Sequence, residues 1–272
     1  MRLIAGMIEP KFVGEILEYL MAQNGESEKF SNLFLAAKCL SDVRNRTAIA
    51  EVANQLRNYL ENLLRYGDEY QASGKQFELI REIRTQSVAA IAITWKDDPE
   101  TLAWLKTLAH FYGNWDIQQA AVQELARAWK DDSETLAWLK TCSECPDPAV
   151  RFGAVQALAR GWKDEPETLR ILKICAQIDY DWSVRRVSLQ QIAWGWKDEP
   201  WMLEFLCDRA INDSFERWTT WQTNPRQTAL EIIIKQHPHH PQTLPLLRDR
   251  AENDPDEQVR EYAQKKLAEL EK

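Results

Sequence analysis

Apolar residues recur along most of this chain at the spacing of one helix face, and a short string interrupts them at fixed intervals. Counting from Arg151, apolar or small residues fall at Ala154, Val155, Leu158, Ala159 and Trp162. Those offsets of 3, 4, 7, 8 and 11 line one side of an α-helix. The same register runs from Arg84 (Ser87, Val88, Ile91, Ala92, Trp95) and from Arg185 (Ser188, Leu189, Ile192, Ala193, Trp196). It also runs from Arg226 (Ala229, Leu230, Ile233, Ile234) and from Arg260 (Ala263, Leu267, Ala268). The interrupting string opens Trp-Lys-Asp-Asp/Glu and begins at Trp95, Trp129, Trp162 and Trp196, at steps of 34, 33 and 34 residues. A worn copy runs from His237 to Leu244. A fixed period of this length marks one supersecondary unit, copied and stacked because a single copy cannot bury its apolar face alone.

Each copy reads as helix, turn, helix, with no strand signal. Pro166 suits the first position of a helix, where its missing N–H goes unused, and Asp164, Glu165 and Glu167 place negative charge at the positive end of the helix dipole. Leu169, Leu172, Ile174 and Cys175 carry the stripe to about Gln177, and Asp179-Tyr180-Asp181 then breaks it and offers an N-cap to the next helix. Gly161 and Gly195 sit beside the tryptophans, where one helix ends. The predicted fold is all-α, a right-handed α-solenoid of helix pairs.

Three turns between paired helices share a pattern: Asp147-Pro-Ala-Val-Arg151, Asp181-Trp-Ser-Val-Arg185 and Asp256-Glu-Gln-Val-Arg260. This resembles the Asp-x-x-Val-Arg turn of HEAT repeats, over residues 76–270. The resemblance implies a ladder of Asp and Arg between neighbouring copies, broken where Asn114/Gln118 and Gln222/Arg226 depart from the pattern.

Residues 1–75 do not carry the repeat and read as a divergent helical N-terminal cap, ahead of a solenoid at 76–272. Helices are expected over Lys11–Gln23, Glu28–Val43 and Thr47–Tyr66, with a loop from Gly67 to Lys75. The opening Arg2-Leu-Ile-Ala-Gly6 and the stretch Phe30–Arg46 resemble the region that follows the nucleotide-binding module of cyanobacterial NACHT-type NTPases, which also carry Trp-Lys-Asp-Asp-Pro-Glu-Thr-Leu arrays. That likeness implies the sensor half of a signalling NTPase. The phosphate-binding loop of such a module needs Gly-x4-Gly-Lys-Ser/Thr. Around Gly74-Lys75, Glu69 stands in place of the first glycine and Gln76 in place of the hydroxyl, so ATP hydrolysis by this chain is not expected.

Composition narrows the classes. A formal charge of −8 speaks against general nucleic-acid binding, and no apolar run reaches the length of a membrane span. The start shows no signal-peptide pattern, and five scattered cysteines suit a reducing, cytoplasmic setting. Cys142-Ser-Glu-Cys145 has metal-ligand spacing but lacks a second pair, and His237, His239 and His240 lack a fixed carboxylate or cysteine partner. No metal, cofactor or catalytic residue is expected. Trp95, Trp129, Trp162 and Trp196 share one repeat position and Trp104 and Trp138 another, which assigns them to packing.

What is left over points to partner recognition. Gln123, Gln156 and Gln190 share one repeat offset, and Arg127, Arg160, Trp194 and Lys235 share another. Second helices usually line the concave side of such solenoids. The step from Trp196 to His237 is 41 residues, and the surplus lies in Ser214–Pro225, which holds Phe215, Arg217, Trp218 and Trp221. Insertions of this kind map to loops, often on the binding side. The expected contact residues are Arg127, Arg160, Arg186, Gln190, Trp194, Phe215, Trp218 and Trp221, facing an extended acidic protein or peptide. Two alternatives stand beside this: a solvated polar face, and a loop that folds back to cap a weak repeat. The expected function is a non-catalytic protein-binding solenoid, the recognition part of a NACHT-type protein. Its rival is an enzyme-like HEAT protein resembling the phycobilin lyases and acting on a tetrapyrrole.

Overall fold

The computed structural model describes residues 6–23, 25, 27, 29–69, 73–111 and 113–271. Arg2, Leu3, Ile4, Ala5 and Glu28, and residues 70–72 of the expected Gly67–Lys75 loop, lie outside them. All regular structure among the described residues is helical, and no helix there is long and apolar enough to cross a membrane. The fold is an all-α solenoid. The chain divides into two compact units, Met1–Thr135 and Leu136–Lys272.

The first unit opens with α1 (Pro10–Ala22), α2 (Ser31–Ser41) and α3 (Ala50–Asn62), flanked by 3₁₀ turns at Thr47–Ile49 and Leu63–Arg65. These match the three expected helices, the first shifted back by one residue and the other two shortened at both ends. Leu17, Leu40, Leu56 and Leu60 are fully enclosed between them, and Ile83 and Ile91 of α4 (Lys75–Thr94) join the same core. Polar bonds fasten α4 to α2: the Thr94 hydroxyl donates to the Ala37 carbonyl at 3.2 Å, and the Arg46 guanidinium donates to the carbonyls of Thr94 and Ser41. The divergent cap therefore shares its core with the first helix that carries the repeat register. The pair α5 (Pro99–Phe111) and α6 (Trp115–Ala128) completes this unit, apart from the first residues of α7 (Ser133–Cys142), which runs across the division.

The second unit continues with α8 (Pro148–Gly161), α9 (Pro166–Ile178), α10 (Trp182–Gly195), α11 (Met202–Asn212), α12 (Pro225–Gln236), α13 (Thr243–Asn253) and α14 (Glu257–Leu270). Helices α8, α10, α12 and α14 form one row, and α9, α11 and α13 each pack on the second helix of their own pair. The apolar register explains this layering. Val155, Leu158, Leu189, Ile192, Ala229, Leu230 and Ala263 are all fully enclosed. A fully buried leucine such as Leu158 contributes roughly 1.5–3 kcal/mol over an exposed one.

The repeated Trp-Lys-Asp string is the turn that joins successive pairs. Each tryptophan caps the C-terminus of a second helix, its N–H bonded to the carbonyl of Ile91, Leu125, Leu158 or Ile192. Its own carbonyl then accepts the N–H three residues on, at Asp98, Asp132, Glu165 and Glu199. His237 takes both bonds in the worn copy, so the turn outlasts the tryptophan. One expectation is corrected. Only Trp95 is buried, whereas Trp129, Trp162 and Trp196 are part-exposed, because a residue at the end of a helix covers the core from its rim.

Candidate partner-binding surface

The turns inside the pairs of the second unit are built on buried ion pairs. Arg151 grips both oxygens of Asp179 at 2.8 and 2.7 Å, Arg185 grips Asp213 at 2.8 and 3.0 Å, and Arg226 grips Asp254 at 3.0 and 3.1 Å. Each pair spans 28 residues, from the second helix of one copy to the inner turn of the next. Side-chain exposure is at most 6% for all six residues, so these charges rely on one another and on their backbone bonds rather than on water. A third guanidinium nitrogen of Arg151, Arg185 and Arg226 donates to turn carbonyls at Cys145, Asp179 and Asp213.

This corrects the expected ladder twice. Asp147, Asp181 and Asp256 are N-caps of their own helices, accepting from the N–H of Ala149, Ser183 and Gln258. The ladder acceptors in the inner turns are Asp179, Asp213 and Asp254, of which Asp179 and Asp254 stand two residues before a cap. The rung at Arg226 is complete, not broken, because Asn224 caps α12 and leaves Arg226 free to reach Asp254. At the matching position of α6, Gln118 carries no guanidinium and so makes no ion pair.

Between α11 and α12 lies the long turn, and it is braced rather than loose. Arg217 binds the Asp256 carboxylate at 3.0 and 3.2 Å and donates to the Gln222 carbonyl. The Gln222 side-chain oxygen accepts the N–H of Trp218 at 2.9 Å and of Thr219 at 3.1 Å. Burial raises the Asp256 carboxyl, but bonds from Arg217 and Asn224 and the Arg217 charge outweigh it, holding the group below the usual carboxylate range. Phe215 is buried edge-on to Trp182, with ring centres 6.3 Å apart.

On the outward side of α10, Trp182, Arg186, Gln190 and Trp194 follow one another at four-residue steps and so share one face. Trp221 from the braced turn packs against Trp182 at 6.0 Å, and the Arg186 guanidinium lies 5.9 Å from the Trp182 ring centre. Arg186 forms no ion pair with a described residue, and its Nε is buried and bonded to none of them. Desolvation lowers its pKa from the ordinary arginine value, partly offset by the charge of Glu231. Trp194 is 63% exposed and Trp221 71% exposed, fractions that place them at the surface rather than in the core.

A family model described as HEAT repeats matches residues 112–193. Residues 112–193 thus resemble HEAT repeats. No curated protein and no solved structure matches it.

The eight candidate residues divide across the repeats. Arg186, Gln190, Trp194 and Trp221 gather on or beside the α10 face, and Trp218 projects from the braced turn, 84% exposed. Arg160 is exposed on α8. Phe215 is corrected: it is buried under the turn and supports it instead of offering contact. Arg127 belongs to the first unit and pairs with Glu124 on its own helix. Trp182 was not among the expected contacts, although its position four residues before Arg186 marks it on the same face. Tyr180 and Ile178, 72% and 77% exposed, were also missed, because each falls at a helix end where periodicity fades.

Cys142 is buried at the end of α7, and Cys145 lies in the following turn. Among the described residues no three His, Cys, Asp or Glu gather as a metal-binding group. His237 is the C-cap of α12 and accepts the Thr243 hydroxyl on its carbonyl, while His239 and His240 are exposed.

Proposed function

We propose that this HEAT-repeat chain is a non-catalytic scaffold that binds a protein partner through the α10 face, with an acidic segment of that partner seated on Arg186. The observation that carries the reading is the contrast among the arginines. Arg151, Arg185 and Arg226 each have a carboxylate, whereas among the described residues Arg186 has no ion-pair partner and keeps a buried donor unbonded. The Arg186 side chain as a whole is part-exposed, so a carboxylate supplied by a partner can answer its charge with charge-assisted hydrogen bonds. Trp182, Trp194 and Trp221 supply aromatic anchors around it, the residue type that carries most interface energy.

The parent assembly in this reading is a NACHT-type signalling NTPase, with the repeats as its recognition part. Support comes from the likeness of Phe30–Arg46 and of the Trp-Lys-Asp turns to such proteins. Joining the chain to the nucleotide-binding module of such a protein and measuring partner-dependent ATP hydrolysis tests this part. Hydrolysis indifferent to the partner sinks it.

For the surface itself, a partner is captured and cross-linked, and its affinity is measured with Arg186→Gln and Trp194→Ala. Each variant is expected to cost about 2 kcal/mol of binding. Unchanged affinity in the folded double variant places the site elsewhere.

A further inference from the structure

A second surface adjoins the α10 face at Trp182, at the inner-turn edge of the second unit, and its chemistry is of opposite sign. A cleft of about 330 Å³ opens between the α9–α10 turn and the braced turn. Its walls include Ile178, Tyr180, Trp182, Phe215, Glu216 and Trp218. Three of these are open to solvent to an extent rare for large apolar side chains: Ile178 at 77%, Tyr180 at 72% and Trp218 at 84%. The two other charged residues lining it are already spent, Asp179 on Arg151 and Arg185 on Asp213. Glu216 is exposed and has no ion pair among the described residues, so the cleft presents aromatic and aliphatic walls with one uncompensated negative charge.

We propose that this cleft binds an arginine side chain of a protein partner, its guanidinium stacked on Trp218 and paired with Glu216. The charge selects a cation over an anion. The open, aromatic shape selects arginine over lysine, because a planar guanidinium can stack on a ring and grip a carboxylate with two parallel N–H groups, which a compact ammonium cannot. The molecule already uses this contact: the Arg151 guanidinium lies 4.1 Å from the Tyr180 ring centre. The site is also held in shape before binding. Two N–H bonds to Gln222 and the Arg217–Asp256 pair fix the turn that carries Trp218, and the Tyr180 hydroxyl bonds the Pro146 carbonyl and Arg151. Binding to a pre-formed site loses less ordering entropy. The proposal does not depend on the α10 reading, since no residue beyond Trp182 is shared.

The test titrates the full chain with three end-blocked tripeptides, Leu-Arg-Leu, its citrulline counterpart and Leu-Glu-Leu, following tryptophan indole N–H signals by NMR. The Trp218 signal is assigned from Trp218→Phe. Leu-Arg-Leu should shift that signal saturably, and the citrulline peptide, equal in shape but neutral, should bind at least about fivefold more weakly. Glu216→Gln should lose a similar factor for Leu-Arg-Leu and none for the citrulline peptide. Both varied side chains are exposed, so folding is not at stake, and circular dichroism verifies it. Equal binding of the citrulline or glutamate peptide, or shifts confined to Trp194, overturns the proposal. So does absence of any shift at ~5 mM peptide, the weakest affinity consistent with a real side-chain site. Trp218 shifts that grow with protein concentration and need no peptide would show a second copy in the cleft, and would overturn it as well.

Discussion

Removing the Asp213 carboxylate should unsettle three helices at once. Asp213→Ala deletes the acceptor of two Arg185 bonds, at 2.8 and 3.0 Å, and of the Phe215 N–H at 3.0 Å. Exposure is 0% for the Asp213 side chain and 5% for that of Arg185, so water does not readily replace what is lost. Breaking a buried pair from one side costs about 3–5 kcal/mol, because the surviving charge is left uncompensated. The cost here should fall near 4 kcal/mol, since Arg185 keeps its bond to the Asp179 carbonyl while Phe215 loses its anchor. A second variant, Arg185→Met, removes the orphaned cation but keeps most of its bulk. The double variant should therefore be less destabilised than the two singles added together, by about 2 kcal/mol. Urea unfolding followed by far-ultraviolet circular dichroism gives the free energies. Repeat arrays can unfold in sections, so hydrogen exchange should accompany it, with α10 and α12 losing protection and α2 keeping it. A cost below about 1 kcal/mol for Asp213→Ala, or strict additivity in the double variant, would show that the ladder is decorative and the argument wrong.

Three further outcomes follow from the same geometry. Trp162 is part-exposed at a helix end while Leu158, one turn earlier, is fully enclosed, so Leu158→Ala should cost about 2–5 kcal/mol and Trp162→Ala less; urea midpoints in the reverse order refute the rim placement. Asp256 has its folded pKa depressed, chiefly by bonds from Arg217 and Asn224 that overcome burial, so its stabilisation is full above the unfolded value of ~3.9 and fades as pH falls through the folded one. Asp256→Asn should thus lower the urea midpoint near neutrality and lose that effect in acid; a deficit that does not shrink there contradicts the pairing. Burial pushes the Cys175 thiol up to about 12, so in the folded chain it should resist iodoacetamide at mildly alkaline pH, as read by mass spectrometry, and react once urea unfolds it.

Periodicity determined the helices, their pairing and most of the enclosed positions, because an apolar face repeating every 3.6 residues is satisfied by burial, although Ile174 and Ala268 of the same stripes are exposed and Ile234 and Leu267 only part-buried. The turn at Trp162-Lys163-Asp164-Glu165 was legible too, since local bonds close it with no help from distant residues. The ladder was only half legible. Arg151, Arg185 and Arg226 stood out in sequence, but their partners lie 28 residues on, and which of Asp179 and Asp181 caps a helix and which meets an arginine depends on how one copy seats against the next. The same holds for the surface. The sequence gathered Arg186, Gln190 and Trp194 by helical spacing, yet listed Phe215 with Trp218 and Trp221 because all three are aromatics in one insertion. Only the tertiary structure sent Phe215 beneath Trp182 and left Trp218 in solvent, whereas the pairing of Arg127 with Glu124, three residues apart on one helix, was open to sequence reasoning. Burial and ion pairing of a side chain in an irregular turn are set by which neighbours reach it, and no period in the chain encodes that.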